Sequence, residues 1–179
     1  LFVEDTDFFH DIWAVRDPSL RCLSYEGLWP LIVGAATPEQ AGRVIRGNLM
    51  NPQRFFSAHP IATVALEDPR FELRCWRGPA WNSMTYWAAR GCLNYGACHE
   101  ATLLLERALD DSAAQFERTG TVWEFYHPLG GRPEDVQRKP DTEFNRPCRE
   151  YLGHNPLLAM ARLYEQARIG VPGDASQPA

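Results

Sequence analysis

Apolar residues recur at helical spacing most clearly in four stretches of the chain. Thr37-Pro38-Glu39-Gln40 reads as a helix start: a threonine cap, proline at the first helical position and a glutamine that closes a capping box. Ala41, Val44 and Ile45 follow on one face, and the helix is predicted to run to about Leu49. A second helix is predicted over residues 79–95, entered through a proline, stopped by Gly96 and holding Gly91 as a point of close packing. From His99 onward, Ala101, Leu104, Leu105, Ala108 and Leu109 trace the i, i+3, i+4, i+7, i+8 stripe of a one-faced helix. Glu106, Arg107, Asp110 and Asp111 fill its other, solvated face, and Gly120 ends it. The fourth helix opens at Asn155-Pro156 and carries Leu157, Leu158, Ala161 and Tyr164 before Gly170.

Between these helices the pattern breaks down. Residues 51–76 and 127–149 are rich in Pro, Gly and charge, and both exceed the roughly 12 to 15 residues beyond which a structureless connection usually carries function or is disordered. The stretch 1–23 has similar character. Strand signals are thin, best at residues 62–65 and next at 71–75. The chain therefore reads as mainly α, with helices in antiparallel pairs and long loops at their ends where a site is expected.

Composition narrows the class. With 179 residues, 45% hydrophobic and 23% charged, the chain has the profile of one soluble globular domain with a core. A net charge of −5 gives no electrostatic reason for a nucleic-acid or anionic-membrane partner. The most apolar run, residues 27–36, contains Pro30 and is far short of a bilayer span. Five cysteines are an odd number without zinc-like spacing, so neither a metal site nor a cofactor is expected, and Cys92 and Cys98 read as small buried hydrophobes. The cysteines leave both a cytoplasmic and a secreted location open. A start at Leu1 without an initiator Met suggests a mature product or a piece of something longer.

Three segments gather residues able to do chemistry. In Cys75-Trp76-Arg77-Gly78-Pro79-Ala80-Trp81-Asn82, two indoles and a guanidinium meet at a helix start. Flat indole faces stack on the C–H faces of sugars while Arg and Asn supply oriented hydrogen bonds; the competing reading makes Trp76 and Trp81 core residues and Arg77 a cap on a neighbouring helix. In the segment Gly120 to Pro128, one carboxylate, Glu124, sits among Trp123, Phe125, Tyr126 and His127. Such surroundings favour a raised carboxyl pKa and proton transfer, unless Glu124 simply pairs with an arginine such as Arg77. The third, Tyr151 to Pro156, reads as a helix cap with a packed His154.

These segments carry a resemblance. CWRGPAWNSMTYWAARGCLNYG resembles the YWRGPxW…NY…GL..YG segment of mannosylglycerate hydrolase-like and processing α-glucosidase-like glycoside hydrolases, and TGTVWEFYHPLGG resembles their ENYDPxTG segment, itself similar to the EKYD segment of trehalases. LSYEGLWPLIVGAATPEQAGRVI and the opening FFHDI agree with further segments in the same order, so the likeness runs from about Leu1 to about Tyr164. It implies an (α/α)6 toroid of helical hairpins and hydrolysis of an α-glycosidic bond with inversion. Glu124 matches the general base and Trp76, Arg77 and Trp81 the sugar-binding segment, while Trp123 and Tyr126, flanking the base, are expected to bind substrate as well; the ligand expected is an α-linked glucoside, mannoside or similar small glycoside. Phe125 stands where the family often has Asn, and residues 151–156 replace its aromatic-serine pattern. The family's catalytic acid lies upstream in a DSGWD-like segment that this chain lacks; Glu4, Asp5, Asp7 and Asp11 fall after that position.

Twelve helices with their loops need on the order of 400 residues, and five or six are predicted here, about half a ring. Residues 1–169 are thus expected to be the C-terminal portion of such a catalytic domain, partnered by the missing N-terminal half, with 170–179 a polar tail. The alternative is a carbohydrate-binding or scaffold module derived from such an enzyme. A prenyl-type α-toroid is disfavoured, because Asp110-Asp111 begins no DDxxD motif.

Overall fold

The computed structural model describes residues 1–170, so the expected tail falls, from residue 171 on, outside the described residues. Local rules locate the first long helical segment. Thr37 Oγ1 accepts from Gln40 N at 3.2 Å and Gln40 Oε1 from Thr37 N at 3.0 Å, the reciprocal capping box. Helix α3 (Pro38–Arg43) follows and continues into a π-helical stretch, Val44–Leu49. That wider turn leaves Asn48 buried, where its amide donates to the backbone carbonyls of Thr6 and Asp7. Before α3 come two short helices not legible in the hydrophobic pattern, α1 (Ile12–Arg16) and α2 (Trp29–Ile32), and a two-stranded antiparallel ladder of β1 (Phe2–Val3) and β2 (Phe8–Phe9).

Helices α4 (Asn82–Asn94) and α5 (Cys98–Thr119) form an antiparallel hairpin, and α6 (Leu157–Arg168) packs against both. Helix α5 buries Ala101, Leu104, Leu105 and Ala108 as the stripe predicts, and Gly120 caps it in the left-handed region at φ 65°. Asp111 departs from the expected solvated face: it is half-buried and bonded to His59, while Asp110 remains exposed. Helix α6 buries Met160, Leu163 and Ala167 rather than the face expected from Leu157, Leu158 and Ala161; Leu158 is 70% exposed. A single narrow i, i+3, i+7 stripe suffices there because α6 meets the α4–α5 hairpin along one seam.

Helix α4 starts three residues later than predicted. Ala80 instead pairs as extended chain with Ala62 on one side and Tyr126 on the other, and these backbone bonds hold residues 79–81 out of the helix. The expected strand at 62–65 is reduced to such isolated bridges, and 71–75 to one parallel bridge between Arg74 and Gln137. Gly91 is the predicted contact point: a Cβ there would stand 3.2 Å from Leu31 Cγ and 3.3 Å from Ile32 N, so α2 lies directly on α4. Among the described residues the core joins helices α2 to α6 through Leu31, Leu49, Phe55, Ala88, Leu104 and Met160, and the five cysteines are unpaired. Because α4 begins, α5 ends and α6 begins at one end of the hairpin, segments 75–81, 120–127 and 148–156 converge there.

Candidate active site

Tight backbone fits shape this end. Trp76 and Arg77 sit in a 3-10 turn (Cys75–Arg77), and a Cβ at Gly78 would fall 2.4 Å from the Glu72 carbonyl oxygen, so only glycine allows the turn to close. Thr63 Oγ1 accepts from Gly78 N and donates to the Pro79 carbonyl, both at 3.0 Å, which ties the turn to the 60–65 segment. The Glu124 segment is fixed from two sides: Tyr126 exchanges backbone bonds with Ala80, and Glu124 N donates to the Cys148 carbonyl at 3.0 Å.

An aromatic column runs through the corner. Trp76 stacks on Trp81 with centroids 4.0 Å apart and planes 6° from parallel; Tyr25 lies 5.5 Å beyond Trp76, and Phe125 lies 5.2 Å from Trp81. Trp76 is 38% exposed, whereas Trp81 is buried with its indole N–H donating to the Cys75 carbonyl. Arg77 is exposed and pairs with Glu72 at 3.3 Å. Trp123 and Tyr126 are buried: Trp123 donates to Thr119 Oγ1 under the Arg149 guanidinium, and Tyr126 stacks on His59 at 4.3 Å. Burial pushes the Tyr126 phenol above its ordinary pKa. Of the five residues expected to face sugar, Trp76 and Arg77 therefore present surface, and Trp81, Trp123 and Tyr126 stand behind them. His154 is exposed and lies edge-on to Trp81 at 6.3 Å.

Glu124 is buried, and its arginine is Arg138 rather than Arg77. Arg138 Nε donates to Glu124 Oε2 at 2.7 Å and Cys148 N to the same oxygen at 3.0 Å. The hydrogen bond to Glu124 raises the Arg138 pKa further, and the Cys148 and Cys75 thiols are raised by burial and then by the Glu124 charge. Both N–H donors fall on Oε2 and the Cys148 thiol also hydrogen-bonds the carboxylate, so Oε1 meets no N–H donor among the described residues. A carboxylate clamped on one oxygen and without an N–H donor on the other can orient a water molecule and take its proton.

Beside Trp76 an open groove of about 670 Å³ is lined by Asp11, Glu26, Trp29, Gly27, Phe9 and His10, among others. The hydrophobic pattern could not reveal it, because most of its walls come from residues 1–30, which lack a clear period, with Val64 and Trp76 completing them. Its only sequence signals are Trp29 in the apolar run and the FFHDI opening. Among the described residues no group of three or more His, Cys, Asp or Glu is placed to hold a metal, and no helix is long and apolar enough to cross a membrane.

The fold recurs in solved structures. An uncharacterized conserved protein from Thermus thermophilus superposes with a TM-score of 0.63 at 23% identity, covering 93% of this chain and 36% of that one. The GH63 mannosylglycerate hydrolase from the same organism gives 0.61 at 22% identity in its complex with glucose, covering 93% and 34%, and 0.63 at 23% in its complex with Tris and D-glycerate, covering 93% and 35%. The chain thus spans about a third of the length of the structures it matches, and its hairpins form part of a helical toroid. Residues 1–145 match the mannosylglycerate hydrolase MGH1-like glycoside hydrolase domain, and the chain belongs to that family.

Proposed function

We propose that the chain supplies the general base and one wall of the sugar pocket of a glycoside hydrolase that cleaves an α-glycosidic bond with inversion. The observation that carries this reading is Glu124: a buried carboxylate fixed on Oε2 by Arg138 and Cys148 N, with no N–H donor on Oε1, in the segment whose Phe125 joins the aromatic column of Trp81 and the partly exposed Trp76. Oε1 activates a water molecule for attack on the anomeric carbon, and Trp76, held between Trp81 and Tyr25, offers its exposed edge to the ring with Arg77 next to it in the same turn. The catalytic acid comes from outside residues 1–170, with its carboxyl about 6.5 to 9.5 Å from Glu124, the gap an inverting mechanism needs for water. A small glycoside fits this pocket, in keeping with the glucose and D-glycerate held by the matched hydrolase structures.

In the full-length enzyme Glu124→Gln is expected to lower kcat by about 10² to 10⁴-fold while leaving glycoside binding, measured by calorimetry, nearly unchanged. Near-normal turnover in that variant overturns the assignment. If the 179-residue chain folds and binds glycosides without any hydrolysis dependent on Glu124, even when joined to the rest of the toroid, the non-catalytic binding module is the better reading.

A further inference from the structure

Behind the loops that carry Trp81 and Glu124 lies a polar group that the proposed hydrolysis does not use. His59 is 0% exposed; its Nδ1 stands 2.7 Å from Asp111 Oδ2 and its Nε2 2.9 Å from Asn82 Oδ1. Asn82 Nδ2 donates to Ser112 Oγ and to Asn155 Oδ1, each at 3.0 Å, and Asn155 Nδ2 donates to the Trp123 carbonyl at 3.3 Å. The direction of this chain of bonds is set at its far end. A backbone carbonyl only accepts, so Asn155 must turn its NH2 to Trp123 and its oxygen to Asn82. Asn82 must answer that oxygen with its own NH2, which leaves Asn82 Oδ1 facing His59. Nε2 therefore meets an amide oxygen and Nδ1 a carboxylate, two acceptors, and both ring nitrogens must carry hydrogen.

We infer that His59 is a buried imidazolium, locked between Asp111 and the Asn82–Asn155 amides, and that it is a positioning residue keeping the start of α4 in register with the segment that carries Glu124. The Asp111 carboxyl agrees. Burial alone would raise it, but the hydrogen bond and charge of His59, with smaller help from Gln115 and His127, hold it below its ordinary value. The other groups around the ring are the Tyr126 phenol stacked on it and Arg107 of α5, which is turned away to the Phe56 and Ser57 carbonyls. The catalytic half of this inference rests on the Glu124 reading; the protonation state does not.

The test has two arms. Nitrogen-15 spectra of the histidine-labelled protein, assigned with His59→Gln, are expected to show one histidine with both ring nitrogens protonated at neutral pH; a non-protonated ring nitrogen on His59 overturns the inference. Asp111→Asn keeps the shape and the acceptor oxygen but removes the counter-charge, which a neutral histidine would tolerate. It is expected to lower kcat between about ten- and a hundredfold with KM little changed, and Asp111→Glu to restore most of that loss. Unchanged kcat in Asp111→Asn also overturns it, and if that variant fails to fold the spectra decide alone. Normal turnover in Glu124→Gln with an imidazolium at His59 removes the general-base reading and leaves this one standing.

Discussion

Glu124 shows how much of a site can hang on a single side-chain pair. Its residue type and aromatic neighbours are plain in the sequence, but the arginine that clamps it comes from the irregular 127–149 segment, 14 residues away, where no periodicity ranks one arginine above another. Arg138 is partly exposed while the Glu124 side chain is 5% exposed, so removing the arginine strands a buried carboxylate with one amide donor. Arg138→Gln is expected to cost roughly 2 kcal/mol of stability in chemical denaturation. In the full-length enzyme it should also lower kcat more than it raises KM; a variant as stable as the parent would mean that the pair is no better than two separately solvated groups.

Elements were legible where a local rule sufficed and misjudged where a distant strand or loop intervened. The capping box at Thr37, the apolar stripe of α5 and its glycine stop are decided within a few residues, and all three appear as read. Thr37→Ala removes the acceptor for Gln40 N at an exposed helix end and is expected to cost about 1 kcal/mol, read as a lowered urea midpoint with unchanged slope. The late start of α4 and the face buried by α6 could not be read this way. Ala80 is held extended by chain 18 residues before it and 46 after, and α6 takes its orientation from the groove between α4 and α5.

Across the molecule, two histidines with lowered pKa values tie stability to the acid side of the pH range. Burial lowers the pKa of His10, whose ring bonds to Thr6 Oγ1, and of His127, whose Nδ1 accepts from Leu129 N, both below the ordinary 6.5. As pH falls below about 6.5 the unfolded chain takes up these protons first, so the contribution of these two groups is complete above that value and declines until the lower folded values are passed. Thermal midpoints should therefore drop on the acid side of 6.5. The drop should shrink in His127→Asn, whose amide oxygen can replace the Nδ1 acceptor; an identical drop in that variant would place the effect elsewhere. Large apolar side chains also stay open, among them Trp13, Val33, Leu158 and Ile169, each at least 66% exposed, on a chain that spans about a third of the length of the structures it matches.

The sequence by itself determined the helical class, the Thr37 helix start, the Gly120 stop and the buried apolar role of Cys92, because caps, periodicity and glycine stops act over one or two turns. It also carried the family, through motifs whose order survives where overall identity is low. Only the tertiary structure decided which arginine holds Glu124, which tryptophan faces outward, and that Asp111 turns inward to a buried histidine. Those choices depend on contacts between segments tens of residues apart, and a hydrogen bond or an aromatic stack across such a gap leaves no spacing in the chain.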